Sequence, residues 1–351
     1  MSDHHAKPFD DATQTKLFIY KSYVQAWLQV FLHTPKFAGK TLRFFDFFSG
    51  PGVDQNGLKG SPIILLDEIA ANRGLIEASG KSIEIYFNDC KKAKAVALRK
   101  ACDEYDLPCS PRVDCNDFRD AFEENIHLIG EGPSLVFLDQ CGVKYVDRST
   151  FQMLASKPTT DILFFFASSY QRRFNEEFSN DLDVPMETPH SEVHRRVAEH
   201  YREWAPPDYF LGDYSIKKGS NIYGLIFGSG NWYGMLKFLE IVWRDDLGGD
   251  ANFPMEAEKA QGDLFEGIQL TKLEQLEQEL HERILSGELR TDGHVALHCI
   301  TKGVFPTKIA PTVYGKLRSE GRLGDSVGGR LRASEKAIKE PRELIIRPSI
   351  R

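Results

Sequence analysis

Between residues 42 and 166 five short apolar runs alternate with helix-like segments, and no other feature of this chain narrows its fold as much. The runs begin at Leu42, Ile83, Pro111, Ser134 and Asp161, and the fourth and fifth (Ser134-Leu135-Val136-Phe137-Leu138 and Asp161-Ile162-Leu163-Phe164-Phe165-Phe166) are apolar on both faces. Strands of that kind are buried on both sides, which predicts a mostly parallel sheet covered by helices. Residues 63–75, 91–105, 117–129 and 148–155 read as the intervening helices. Ahead of them, Leu17, Tyr20, Tyr23, Val24, Trp27, Leu28 and Phe31 recur at helical spacing over residues 15–32. Further on, β runs at 209–216 and 221–227 flank Lys217-Lys218-Gly219-Ser220 and predict a hairpin, followed by a helix over 232–243. The polar stretch 171–207 reads as a helical insertion beside the sheet.

The turn after the first run is Asp46-Phe47-Phe48-Ser49-Gly50-Pro51-Gly52. A ligand carrying ribose or an amino-acid tail can lie against main-chain N–H groups only where no Cβ intervenes, and Gly50 and Gly52 supply that clearance. Ser61 is placed to cap the next helix, with Pro62 in its first turn. The connection from Gly52 to Gly60 is longer than the usual βα turn. It departs from the GxGxxG dinucleotide fingerprint. The spelling D-x-F-x-G-x-G is similar to the loop of S-adenosylmethionine (SAM) methyltransferases, nucleic-acid base methyltransferases especially, although a tight βα turn in any α/β protein can carry the same residues.

Composition closes off several classes. The 351 residues are 41% apolar, enough for two domains or one large core with an appendage. No run approaches the roughly 20 apolar residues of a membrane span. The first residues, with Asp3, His4, His5 and Asp10, lack a signal peptide's pattern, so a cytoplasmic location is expected. The six cysteines form no CxxC pair, and Cys109, Cys115 and His127 fit no common metal spacing, so no metal is expected. The net charge of -7 is unevenly spread, with an acidic stretch at 245–279 and a basic tail at 283–351. Local charge speaks to partners, and a nucleic-acid surface on the tail is one reading.

In an open parallel sheet, ligands bind at the carboxyl ends of the strands. The polar residues there are Asp46, Ser49, Gly50, Pro51 and Gly52 after the first strand, Asn88 and Asp89 after the second, Asp114 and Asn116 after the third, and Asp139 and Gln140 after the fourth. Asp89, with Asn88 as its rival, is the choice for the ribose hydroxyls. Asp114 is a candidate acceptor for an adenine amino group, while Asp117 reads as a helix cap. Any one of them is an ordinary strand-end residue; their succession is the more specific signal.

Taken with the motifs Phe137-Leu138-Asp139-Gln140-Cys141-Gly142 and Ile222-Tyr223-Gly224-Leu225-Ile226-Phe227 running to Ala251-Asn252-Phe253, the chain resembles the three-Cys-motif partner proteins (TcmP family) up to about residue 255. The resemblance implies a Rossmann-like SAM-methyltransferase sheet and a phage Gp37/Gp68-like, three-cysteine partner, which carries a link to phage-related defence. The organisation then expected is an N-terminal helical segment (1–40), a methyltransferase-like domain (41–245) with its insertion at 171–207, an acidic linker and helix (246–280) and a small basic winged-helix-like module (281–351).

Asp139 is the candidate that orients an exocyclic amine at the transfer site. Related amine-methylating enzymes use Pro and an aromatic next to this acid, where the ring stacks on a flipped base; here both are missing, and Tyr145 is the nearest aromatic. Cys141 is a candidate nucleophile or a buried small hydrophobe. Arg172 and Arg173, after the fifth strand, are candidate phosphate contacts or a solvated helix start. Lys308, Lys316, Arg318 and Arg322 hold the same two readings in the C-terminal module. The leading function is SAM-dependent base N-methylation of nucleic acid. A catalytically inactive scaffold subunit is the alternative, and an NAD-dependent oxidoreductase the third reading.

Overall fold

Side-chain alternation along the buried strands decides which helices cover which face of the sheet. The computed structural model describes residues 9–139, 145–167, 190–218, 221–246, 248–254, 270–326 and 329–348. Strands β1 (Thr41–Asp46), β2 (Ser82–Asn88), β3 (Arg112–Asp114), β4 (Ser134–Leu138) and β5 (Thr160–Ala167) run parallel. The hairpin of β6 (Phe210–Lys218) and β7 (Asn221–Ser229) follows, with β7 inserted antiparallel between β5 and β6. A short β8 (Asn252–Pro254) pairs in parallel with β6, giving the order β3-β2-β1-β4-β5-β7-β6-β8.

Leu42, Phe44, Leu135, Phe137, Leu163 and Phe165 point to one face. There they meet α1 (Asp11–His33), α2 (Ser61–Ala71), α3 (Arg73–Ser79), α4 (Lys92–Cys102) and α8 (Trp232–Val242). Phe45, Val136, Leu138, Ile162 and Phe164 point to the other, against α5 (Phe118–Asn125), α6 (Arg148–Ala155) and α7 (His190–Trp204). Helix α1 shows the local logic well. Asp10 caps its first turn by accepting from the Thr13 amide at 2.8 Å, and its inner stripe sets Tyr20 on Phe137, Tyr23 on Phe227 and Trp27 on Phe44. Each such fully buried large apolar side chain contributes roughly 1.5–3 kcal/mol.

After the hairpin come α9 (Lys272–Leu285), α10 (Asp292–Thr301), α11 (Pro306–Ser319) and α12 (Glu335–Lys339). Buried Leu280, Val295, Cys299 and Val313 join the same apolar cluster as α1 and α8. The Gly303 carbonyl seals the seam, accepting from the Tyr214 hydroxyl of β6 and, at 2.9 Å, from the Trp243 indole.

Two details differ from the sequence reading. The helix expected over 63–75 is broken at Asn72, whose side chain donates to the Glu68 carbonyl at 2.8 Å and ends the first segment. Strand β8 lies in the stretch read as an acidic linker, because three residues are too few to show a period. Within the insertion expected at 171–207, α7 accounts for the end; the residues before 190 lie outside the described ones.

Candidate functional site

The chain builds β1, β2 and β3 outward in one direction and returns to place β4 on the other side of β1. That reversal opens a crevice at the carboxyl ends of β1 and β4, the position where such sheets take ligands.

Asp46 ends β1 and is 1% exposed. Its Oδ1 accepts from the Phe48 amide at 3.1 Å and its Oδ2 from the Ser61 hydroxyl at 2.6 Å. Burial pushes its carboxyl up to about 7, Ser61 and Phe48 pull it down, and the nearby charges of Asp139 and Asp89 push it further up. Carboxylates that follow β2 and β4 therefore act on Asp46 across this crevice.

The glycines of the loop are set by backbone conformation and by packing against α2 and α4. Gly50 and Gly52 sit at φ +66° and +95°, and a Cβ on Gly52 would lie 3.1 Å from Ile63. The long connection is a small closed ear: Val53 bridges Lys59, and the Gly60 amide donates to the Gly52 carbonyl at 2.7 Å. Buried Asp54 organises it, with Oδ1 accepting from Asn56 and Leu58 at 2.8 Å each and Oδ2 from the Phe9 amide at 2.7 Å. The ear thus holds the chain just ahead of α1.

After β2 the two rivals do different things. Asn88 is buried and ties neighbouring loops: its Oδ1 accepts from the Asn116 amide at 3.0 Å, its Nδ2 donates to the Asn116 carbonyl at 3.1 Å, and its own carbonyl accepts from the Ser49 amide and hydroxyl at 2.9 and 3.0 Å. Asp89 is half-buried and accepts from the Gly50 amide at 3.2 Å on one oxygen and from Lys91 at 2.8 Å on the other, so each oxygen keeps a lone pair. Asp114 is turned along the sheet edge, ion-paired to Arg112 at 2.5 Å with the Tyr86 ring beside it. Asn116 is joined to the arc through its backbone.

At β4, Asp139 Oδ2 is ion-paired with Lys16 from the second turn of α1, whose ammonium also lies 5.5 Å from the centre of the Phe165 ring. Tyr145 packs its ring 5.2 Å from Phe48, which stacks on Phe118 at the same distance, so half-buried aromatics flank the mouth. Gln140, Cys141, Gly142, Arg172 and Arg173 lie outside the described residues. The four C-terminal candidates are not part of this crevice. Lys316 pairs with Glu277 at 3.2 Å, Lys308 reaches the Arg244 carbonyl at 3.5 Å, Arg322 donates to the Arg347 carbonyl at 3.1 Å, and Arg318 stands exposed on α11.

Sequence reasoning missed Lys16, Asp54 and Phe48 as parts of this site. Lys16 carries no local signal, since its partner is 123 positions away. Among the described residues no group of three ligands is placed to hold a metal, and no helix is long and apolar enough to cross a membrane. A cleft of about 320 Å³ lined by Ile83, Tyr86, Cys109, Arg112 and Leu128 lies beside β2 and contains none of the strand-end acids of the crevice.

Parallel strands in the order 3-2-1-4-5, an antiparallel seventh strand inserted before the sixth, and a glycine loop after the first define a Rossmann-like methyltransferase fold. No protein-family profile matches the chain, and a comparison with curated proteins finds no match. Among solved structures it is similar to an O-methyltransferase from Bacillus cereus in complex with SAH, at 14% identity over 63% of this chain and 91% of that one, with a TM-score of 0.34. It is also similar to the putative methyltransferase yhhF from Escherichia coli (14% identity, 64% and 89% covered, TM-score 0.31) and to a 16S rRNA (adenine(1408)-N(1))-methyltransferase from Catenulisporales acidiphilia (12%, 58% and 90%, TM-score 0.29). The fold stands on strand order and direction.

Proposed function

We propose that this protein binds S-adenosylmethionine in the crevice between β1 and β4 and methylates an amine on a nucleic-acid base. The observation that carries the reading is that Asp46 and Asp89 both accept from amides of one glycine loop, with Asp139 following the neighbouring strand β4. A cationic, ribose-bearing cofactor suits three carboxylates, whereas the pyrophosphate of a dinucleotide is repelled by them. When bound, the cofactor supplies an electrophilic methyl group on a sulfonium. The chain's own groups then divide the work. Asp89 receives the ribose hydroxyls on its free lone pairs, Gly50 and Gly52 hold the left-handed turns of the loop, and Asp139 accepts from the incoming amine so that its lone pair faces the methyl.

Phe48 and Tyr145 at the mouth favour a planar substrate, because stacking on an aromatic face is open to every base. Residues 283–351 carry fourteen basic against seven acidic side chains, which favours a phosphate-bearing partner. The pairing with a three-cysteine protein belongs to this proposal through the motif resemblance. A scaffold role without turnover is the second reading, favoured by Lys16, whose ion pair already neutralises Asp139.

Calorimetric titration with S-adenosylmethionine, with NAD as control, tests the cofactor. Transfer of a labelled methyl group to total RNA and to DNA, with Asp139→Ala as the blank, tests the reaction. Binding without transfer to either polymer moves the protein to the scaffold reading, and binding of NAD alone sinks both.

A further inference from the structure

We infer that the Lys16–Asp139 ion pair is the receptor for the cofactor's zwitterionic amino-acid tail, Lys16 taking the α-carboxylate and Asp139 the α-ammonium. This rests on the cofactor reading above and assigns its one unmatched charge. Asp46, Asp89 and Asp139 suit the sulfonium and ammonium of the cofactor and leave its carboxylate unmet.

In a glycine loop the usual receptor for an anion is a set of free backbone amides. Here four such amides are already spent within the protein. Phe48 donates to Asp46, Ser49 to the Asn88 carbonyl, Gly50 to Asp89 and Gly60 to the Gly52 carbonyl. A side-chain cation meets a carboxylate more strongly than a neutral amide, and α1 places Lys16 beside Asp139. Its side chain is 16% exposed and that of Asp139 32%, so the pair is neither sealed in the core nor spread on open surface.

The exchange conserves charge contacts. One ammonium–carboxylate pair opens and two form with the zwitterion, so no charge is left buried without a partner. Only Oδ2 of Asp139 is held by Lys16, and Oδ1 accepts no hydrogen bond from the described residues, which leaves it for the incoming amine. Phe165 under the Lys16 ammonium and the Asp54 anchor on the Phe9 amide fix the start of α1 at both sides of the exchange. Lys16 thereby becomes a cofactor-binding residue contributed from outside the sheet.

The test compares S-adenosylhomocysteine with 5′-methylthioadenosine, which keeps the adenosine and the thioether but has no amino-acid tail, on wild type, Lys16→Met, Lys16→Arg and Asp139→Asn. Lys16→Met is expected to weaken S-adenosylhomocysteine by about 10- to 100-fold, the size of a lost charge-assisted hydrogen bond, while leaving methylthioadenosine within about twofold. Lys16→Arg recovers most of the loss, and Asp139→Asn reproduces the selective loss without touching the lysine. Equal weakening of both ligands, or of neither, overturns the assignment. A wild type that binds neither ligand overturns the cofactor reading itself and this inference with it.

Discussion

Two aspartates are buried at opposite ends of the sheet, and their surroundings separate the proposed site from a structural position. Asp161 opens β5 at the amino end, 6% exposed, and accepts from the Tyr23 hydroxyl at 2.8 Å. Burial pushes it up to about 6, and the Ser229 and Tyr23 hydroxyls pull it back down. Gly234 closes the pocket, where a Cβ would meet Ser229 Oγ at 2.7 Å and Asp161 Oδ1 at 3.1 Å. Asp46 is as buried, yet two further carboxylates add to its upward shift. Burial alone does not mark a functional acid. Neighbours of like sign do, because the fold keeps a repulsion that a bound cation relieves.

The largest effect expected from this contrast is on stability at the amino end. Asp161→Ala strands the buried Tyr23 hydroxyl and should cost about 3 kcal/mol in urea denaturation, with cofactor affinity of the folded protein unchanged. A loss below about 1 kcal/mol would break the contrast. At the carboxyl end, Asp89→Ala should reverse the balance. Cofactor affinity should drop by about 30- to 100-fold in calorimetry, with stability lowered by about 1 kcal/mol through the freed Gly50 and Lys91 amides.

The pH dependences sharpen the comparison. Asp161 binds its proton more tightly folded than unfolded, so its contribution is full below about pH 4 and lost as pH rises through about 6. Stability measured from pH 4 to 7 should show this decline in wild type and lose it in Asp161→Asn. Asp46 has the same sign for stability, with its loss completed near pH 7. For the cofactor the sign reverses. A cation favours ionised Asp46, so affinity should rise by up to about tenfold as pH passes through 7, and Asp46→Asn should flatten that rise. The smallest effect concerns exposed Arg318: Arg318→Ala should leave stability within about 0.5 kcal/mol and reduce the salt slope of RNA binding by about one. An unchanged slope would remove this arginine from the proposed interface.

Much of the site was legible because its members sit where strand ends must be. The loop from Asp46 to Gly52 and the acids after β2 and β4 could be read once the apolar runs were counted. The division of labour between Asn88 and Asp89 was not, since adjacent residues point to opposite sides and only the packed loops decide which is spent on Asn116. Nor was the Asp114–Arg112 pairing on the sheet edge, which draws that carboxylate to the edge arginine.

The sequence by itself determined the alternation of strands and helices, the hairpin that follows β5 and the glycine turn, because burial period and backbone conformation are local properties. Only the tertiary structure decided that α1 delivers Lys16 to Asp139, that the ear of Asp54 holds the Phe9 amide, and that three carboxylates share one field. Such contacts join residues far apart in the chain, and no local pattern records a distance that packing alone creates.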